Sequence, residues 1–354
     1  MSEPPRPAPR QVRPAIRAMR GYTPGEQAID CVKLNTNESA WPPSPRVHEV
    51  LRAVADDHLR LYPDPRAERL RAAAAEVFGV PAEAILAGNG SDDCLTILFR
   101  TLLDPGDRVA CPWPTYGLYD ELAAIQGVAI EHVDWARDWR LPSVLPRLGA
   151  KLLILANPNN PSGTVVPVAE LRRLADAHDG ILAVDEAYVD FCPGASLLPC
   201  LAAHPNLVVL RSFSKSYALA GARLGLMFAA PALIEQCMKV KDSYNVNRLT
   251  QELGLAALAD REHHRQLVER TLAERARLER ELAAFGWQWP ESGANFLFCR
   301  VGEHAGELYR ALKARGILVR WWDRPQLREH LRISVGTPAQ SDRLLAALRA
   351  LLAP

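Results

Sequence analysis

No stretch of this sequence is apolar for long enough to cross a bilayer, since a spanning helix needs about 20 such residues; a soluble protein is expected. An excess of charge of either sign is also missing. Lysine and arginine total 42 against 41 aspartates and glutamates, so no global field draws the chain to nucleic acid or to an anionic membrane. Any anion it binds must be held by local groups. Paired cysteines are lacking too: Cys31, Cys94, Cys111, Cys192, Cys200, Cys237 and Cys299 are odd in number and scattered, with no C-x-x-C pair, which predicts free thiols. The nine histidines include no H-E-x-x-H, and the adjacent His263 and His264 on a helix point in different directions, so no metal site is expected. Residues 1–14 are rich in proline and arginine but carry no apolar signal core. They read as a flexible tail on a cytoplasmic protein.

What is present is ordinary in bulk and specific in detail. A hydrophobic fraction of 48% and a charged fraction of 23% over 354 residues predict a large domain with a smaller companion. Short β-rich runs at 85–88, 109–111, 128–133, 152–156, 181–185, 207–211 and 224–229 alternate with amphipathic stretches such as 168–178. That alternation predicts an α/β fold whose largely parallel sheet is covered on both faces, with ligands beyond the carboxyl ends of the strands. After about residue 245 a long charged amphipathic stretch, 261–285, leads into a separate α+β pattern ending in a helix at 339–352. The expected division is a tail and arm over 1–40, a large domain over 41–245 and a small domain over 246–354. No solenoid repeat or low-complexity linker interrupts it.

Four strand ends carry polar residues. After 85–88 comes Asn89-Gly90-Ser91-Asp92-Asp93 and then an apolar helical run. Glycine lets backbone approach a ligand, and first-turn amides favour a phosphate; the same segment also fits an ordinary N-cap by Ser91 or Asp92. The third glycine of a dinucleotide fingerprint and the G-K-[ST] of a P-loop are both absent. The run 152–156 enters a turn at Asn157-Pro158-Asn159-Asn160-Pro161-Ser162-Gly163, which presents an amide or simply punctuates a loop. The apolar run 181–184 ends in Asp185 and Glu186, with Tyr188 beyond. A carboxylate there needs a partner: a protonated pyridine nitrogen, which makes the ring an electron sink, or an arginine at the sheet edge. Lys215 comes after 207–211 between hydroxyls, with Arg223 beyond it. Partly desolvated near a cation, its amine is neutral more readily than that of a surface lysine; in isolation it also fits a solvated loop.

Together these pieces resemble the histidinol-phosphate aminotransferase family, class II aminotransferases of fold type I that use pyridoxal 5'-phosphate. The resemblance runs through Leu34-Asn35-Thr36-Asn37-Glu38, Tyr62-Pro63-Asp64-Pro65, Gly88–Asp92, Pro114-Thr115-Tyr116, the Asn157 turn, Val184–Tyr188 and 212–223. Thirty residues separate Asp185 from Lys215 and eight separate Lys215 from Arg223, as that fold requires. It implies a large domain with a mostly parallel seven-stranded sheet sandwiched by helices, and a smaller α+β C-terminal domain. By the same resemblance Lys215 binds the cofactor aldehyde and then shuttles a proton, Asp185 pairs with the pyridine nitrogen, Asn157 and Tyr188 bond the ring oxygen, and Tyr116 stacks on the ring. Gly90, Ser91, Asp92, Ser212, Ser214 and Arg223 hold the cofactor phosphate, and Tyr62 is lent across a homodimer.

The resemblance also assigns Tyr22, Asn37, Arg320 and Arg332 to substrate, with planar donors that suit carboxylate or phosphate; Arg320 and Arg332 also fit surface ion pairs. It implies amino transfer between glutamate and imidazole-acetol phosphate, a step in histidine biosynthesis. Departures are Asp93 where the family usually has glutamate, Ser162 where threonine is common, and the pair Trp321-Trp322. A threonine-phosphate decarboxylase and a broad aromatic aminotransferase remain as alternatives. A ligand-sensing DNA regulator does not, because the proline-rich forty residues before the large domain leave no room for recognition helices.

Overall fold

The computed structural model describes residues 10–19, 21, 25–28, 30–53, 57–136 and 138–352. Residues 1–9 of the tail and Tyr22, expected at the substrate, lie outside them. The strands are β1 (Val32–Lys33), β2 (Ile85–Gly88), β3 (Arg108–Trp113), β4 (Ala129–Asp134), β5 (Leu152–Ala156), β6 (Ile181–Asp185), β7 (Leu207–Ser212), β8 (Gly225–Ala229), β9 (Phe296–Arg300), β10 (Ile317–Leu318) and β11 (His330–Ser334). The α-helices are α1 (Pro14–Ala18), α2 (Pro45–Ala53), α3 (Glu68–Phe78), α4 (Ser91–Leu102), α5 (Leu118–Gln126), α6 (Val168–Ala177), α7 (Pro231–Val240), α8 (Arg248–Ala259), α9 (Arg261–Ala283), α10 (Ala305–Ala314) and α11 (Pro338–Leu352).

Seven strands form one sheet in the order β2-β8-β7-β6-β5-β3-β4. β4, β3, β5, β6 and β7 run parallel, and β8 runs antiparallel to β7 and β2. The central strands are apolar over most of their length because both faces are covered, and the pleat sends alternate residues to opposite sides. Leu153, Leu155 and Val184 pack with Leu70 of α3, Leu171 of α6 and Leu253 of α8. Leu152, Ile154 and Ala183 pack instead with Leu98 of α4, Leu122 of α5 and Ile234 of α7. This is the α/β sandwich expected from the alternating pattern. Its consequence for function is that the carboxyl ends of β3, β5, β6 and β7 open on one edge.

A second core gathers Leu278 and Leu282 of α9, Leu297 of β9, Leu312 of α10, Ile333 of β11 and Leu344 of α11. Here β9 pairs antiparallel with β11. β1, from the segment expected as an N-terminal arm, pairs in parallel with β10. Among the described residues no helix is long and apolar enough to cross a membrane. The cysteines are free thiols.

Just behind the open edge lies a buried ionic knot. Arg211 on β7 places Nε 3.1 Å from Glu186 and Nη1 2.6 Å from Asp190. Ser216, next to Lys215, donates to Asp190 at 2.5 Å, and His264 at the start of α9 approaches the same carboxylate to 3.5 Å. Burial alone would raise the Asp190 carboxyl, but Arg211, with His264 and Ser216, holds it well below the usual carboxylate range. Burial pushes Glu186 upward, with Arg211 in partial opposition. Removing one partner of such a cluster strands the other charges without water.

Arg211→Met is therefore expected to lower unfolding free energy at pH 7 by about 3–5 kcal/mol. A depressed carboxyl contributes stability above its unfolded value of about 4, which is lost as pH falls through and below that value. The deficit of Arg211→Met should thus shrink on acidification, as followed by urea unfolding across pH. A deficit under about 1 kcal/mol at pH 7 would show that the knot is solvated.

Candidate active site

The carboxyl ends of the parallel strands and the first turn of α4 line a cavity of about 660 Å³. It takes in Ser91, Asp92, Tyr116, Asp185, Tyr188, Ser212, Ser214, Lys215, Arg223, Asn37, Arg320 and Arg332. Most of the residues expected at the site are therefore brought to one place, though 297 positions separate Arg332 from Asn35, whose backbone oxygen it bonds.

At one end, β2 turns into α4 through Gly90, which has φ +89° and serves as the N-cap. No side chain closes the helix start, so its first-turn amides point toward the cavity edge. A Cβ on Gly225 would fall 2.2 Å from the Ser91 nitrogen, and one on Gly90 would fall 2.5 Å from Arg223. Backbone at both glycines is packed as closely as the absence of a side chain permits. Arg223 reaches over this turn, donating to Asp92 at 3.0 Å and to Ser214 at 3.5 Å. Amides, hydroxyls and a guanidinium thus converge on one spot, the donor set of a phosphate seat.

At the centre stands Asp185, the last residue of β6 and 5% exposed. Its Oδ1 accepts from the Ala187 amide and its Oδ2 from the Tyr119 hydroxyl, both at 3.1 Å. Burial nonetheless raises its carboxyl to about 6, with those two bonds and Lys215 in partial opposition. A buried carboxylate held this high gains from a cationic N–H donor brought into the cavity.

Lys215 lies one turn past β7, its Nζ 3.2 Å from the Thr36 carbonyl and 5.6 Å from the Tyr188 ring centre. Burial lowers its amine to about 8, and the charges of Arg332 and Arg223 push in the same direction against Glu38 and Asp92. Tyr188 accepts from Asn37 Nδ2 at 3.0 Å, and burial raises its phenol. Asn37 has φ +56°, in the left-handed region that asparagine tolerates. That turn lets its amide and side chain both engage Ser334 of β11, at 2.9 and 2.8 Å.

Asn157 and Tyr62 are not among the residues lining the cavity. Asn157 is fully buried, donating to the Val166 carbonyl at 3.2 Å and accepting from the Val166 amide at 2.8 Å. Tyr62 is 76% exposed on a separate groove with Leu59, Leu61 and Arg248. Sequence reasoning missed Tyr119, whose ring meets that of Tyr116 edge to face at 5.7 Å. It also did not name Asn160, from the same turn as Asn157, which lines the cavity and accepts from Arg332 at 2.6 Å. Asp93, the shortened acid, is used locally: it accepts from the Asn89 amide and Asn245 at 2.9 Å each.

Comparison with known proteins gives one consistent result. The family model for aminotransferase class I and II matches residues 29–348. A histidinol-phosphate aminotransferase from a Synechocystis species is 42% identical over 347 residues, covering 96% of this chain and 98% of that protein. Its counterpart from Rhodopirellula baltica is 41% identical over 339 residues, covering 94% and 93%. Among solved structures, histidinol-phosphate aminotransferase from Sinorhizobium meliloti in complex with pyridoxal-5'-phosphate aligns with a TM-score of 0.88 and 28% identity, covering 97% of this chain and 99% of that one.

A lowered lysine is neutral above its folded value, so Lys215 should react as a free amine where surface lysines remain protonated. In the ligand-free protein, acylation of Lys215 by an anhydride is expected to rise around a midpoint of about 8. Peptide mass spectrometry across pH reads this directly, and Arg332→Gln should move the midpoint upward. A midpoint at the ordinary 10.5 would contradict the buried setting.

Proposed function

Because the chain belongs to the aminotransferase class I and II family, and to the histidinol-phosphate aminotransferases within it, we propose that the cavity at the strand ends performs their reaction with the residues gathered there. The enzyme transfers an amino group between glutamate and 2-oxoglutarate on one side and histidinol phosphate and imidazole-acetol phosphate on the other. Its cofactor is pyridoxal 5'-phosphate. When bound, this cofactor supplies an electrophilic aldehyde and a protonated ring that accepts the electrons left behind when a proton leaves the substrate carbon.

The residues present fit that group at each end. The Gly90–Ser91 turn, where a Cβ at Gly225 would collide, suits the phosphate, with the Ser91 and Asp92 amides, Ser212, Ser214 and Arg223 as donors. Asp185 would hold the proton on the pyridine nitrogen: its carboxyl, raised to about 6 by burial, is stabilised as an anion by a cation placed against it. Tyr119 and the Ala187 amide fix its orientation. Tyr188, with one remaining N–H of Asn157, would bond the ring oxygen, and Tyr116 would cover a ring face. Lys215 would hold the cofactor and then carry the proton at its Nζ, since an amine near 8 both accepts and returns protons near neutrality.

Arg320 and Arg332 would take the anionic end of the substrate. Their backbones form a two-way bridge at 2.9 Å in both directions, so the side chains stand next to each other on one face. Asn37 is assigned to the substrate with them. The single observation that carries the assignment is the meeting of Lys215, Asp185 and these arginines in one cavity.

We also place Tyr62 in the site of a second copy of the chain. Its ring stacks on Tyr244 with centroids 4.4 Å apart, beside exposed Leu59 and Leu61. Such an apolar patch fits a covered interface. Free thiols throughout the cysteine set support a reducing compartment, the cytoplasm.

Purified protein with glutamate and imidazole-acetol phosphate should form histidinol phosphate, and Lys215→Ala should lower turnover by about 10²- to 10⁴-fold. Mixing Lys215→Ala chains with Tyr62→Ala chains, each impaired alone, should restore activity at sites made of one intact half from each. An active Lys215→Ala protein would overturn the assignment of the lysine, and failure of the mixture to recover would overturn the shared site. Carbon dioxide release without an amino acceptor would indicate a decarboxylase instead.

A further inference from the structure

The paired tryptophans that set this sequence apart have unlike roles. Trp321 turns away from the cavity: its Nε1 donates to the Arg328 carbonyl at 2.9 Å, its ring stacks on Tyr309 at 5.8 Å, and a Cβ on Gly306 would fall 2.9 Å from it. Trp322 lines the cavity. Its ring centre lies 5.2 Å from the guanidinium carbon of Arg320 and 5.2 Å from that of Arg332.

The local backbone explains this geometry. Arg320 and Arg332 are bridge partners, so their side chains emerge on the same face, where two like charges repel. Trp322, two residues beyond Arg320, meets both guanidiniums on that face. The negative face of an indole attracts cations, so a ring in contact with both guanidiniums offsets their repulsion without neutralising either. Arg332 is further pinned by Asn160, by the Asn35 carbonyl and by the Phe296 ring at 5.1 Å. The ring therefore keeps the more exposed Arg320 close to a fixed Arg332.

We propose that Trp322 is a specificity-determining residue that holds Arg320 and Arg332 as a two-cation seat and thereby favours a phosphomonoester over a carboxylate. A dianion with three terminal oxygens satisfies both guanidiniums at once, whereas a carboxylate needs only one bidentate partner. Without the ring, the repulsion between the two guanidiniums is no longer offset, and the seat for the phosphorylated substrate is weakened. Glutamate keeps Arg332. This inference rests on the assignment of Arg320 and Arg332 to the substrate anion.

The test compares holoenzyme variants Trp322→Leu and Trp322→Phe, with Trp321→Leu as a control, in the separate half-reactions with glutamate and with histidinol phosphate. Trp322→Leu should raise KM for histidinol phosphate by about 5- to 30-fold, the range of a cation–π contact, with kcat and the glutamate half-reaction changed far less. It should weaken competitive inhibition by inorganic phosphate to a similar degree. Trp322→Phe should restore most of the preference, and Trp321→Leu should leave it intact. Parallel losses in both half-reactions, or an unchanged preference in Trp322→Leu, would overturn the role of Trp322. A wild-type protein with no preference for histidinol phosphate would instead sink the assignment of the arginines.

Discussion

Asp185 is a carboxylate set at the tip of a strand buried on both faces, and most of the site is arranged around the cost of keeping it there. Among the described residues two hydrogen bonds reach it, from Tyr119 and the Ala187 amide, and burial still lifts its carboxyl to about 6. The next residue, Glu186, is buried as well, yet Arg211 faces it. Adjacent acids on one strand end thus have opposite roles. Glu186 and Asp190 are matched by a resident cation and tie β6 to β7 just behind the lysine, while Asp185 presents its charge to the cavity.

The second requirement is to bring the C-terminal region to that charge. The strand pair β1–β10 and the contacts of Asn37 with Ser334 and Tyr188 do this. They join the arm, Arg320 and Arg332, and the Tyr188 ring beside Lys215 in one hydrogen-bonded path. Arg332 adds an electrostatic link, since its charge helps depress the Lys215 amine. An anion bound at Arg332 would relieve that effect and so couple anion binding to the proton affinity of Lys215.

Much of this was legible in the sequence because it lies in strand periodicity and in the polar residues placed just after each strand. The runs at 85–88, 152–156 and 181–185 occur at those positions in the fold, and their polar ends converge in the cavity. The reversal of β8 was not legible, because strand direction is set by connections and packing rather than by apolar pattern. Nor was the cavity position of Asn160, which depends on how the turn folds back onto Val166. Residues 1–9 and Tyr22 showed the opposite limit: their expected places lie outside the described chain. Trp321 and Trp322 are alike in sequence and separate only in space, where one packs on Tyr309 and the other on the arginines.

The central claim, that Asp185 is held as an anion by a protonated ring nitrogen, is tested by tracking its own titration. Carbon-13 resonance of labelled aspartate, assigned by Asp185→Asn, should show a midpoint of about 6 in cofactor-free protein. After pyridoxal 5'-phosphate is added, that midpoint should fall below the ordinary aspartate value of about 4. A midpoint that stays near 6 in the loaded enzyme would contradict the account.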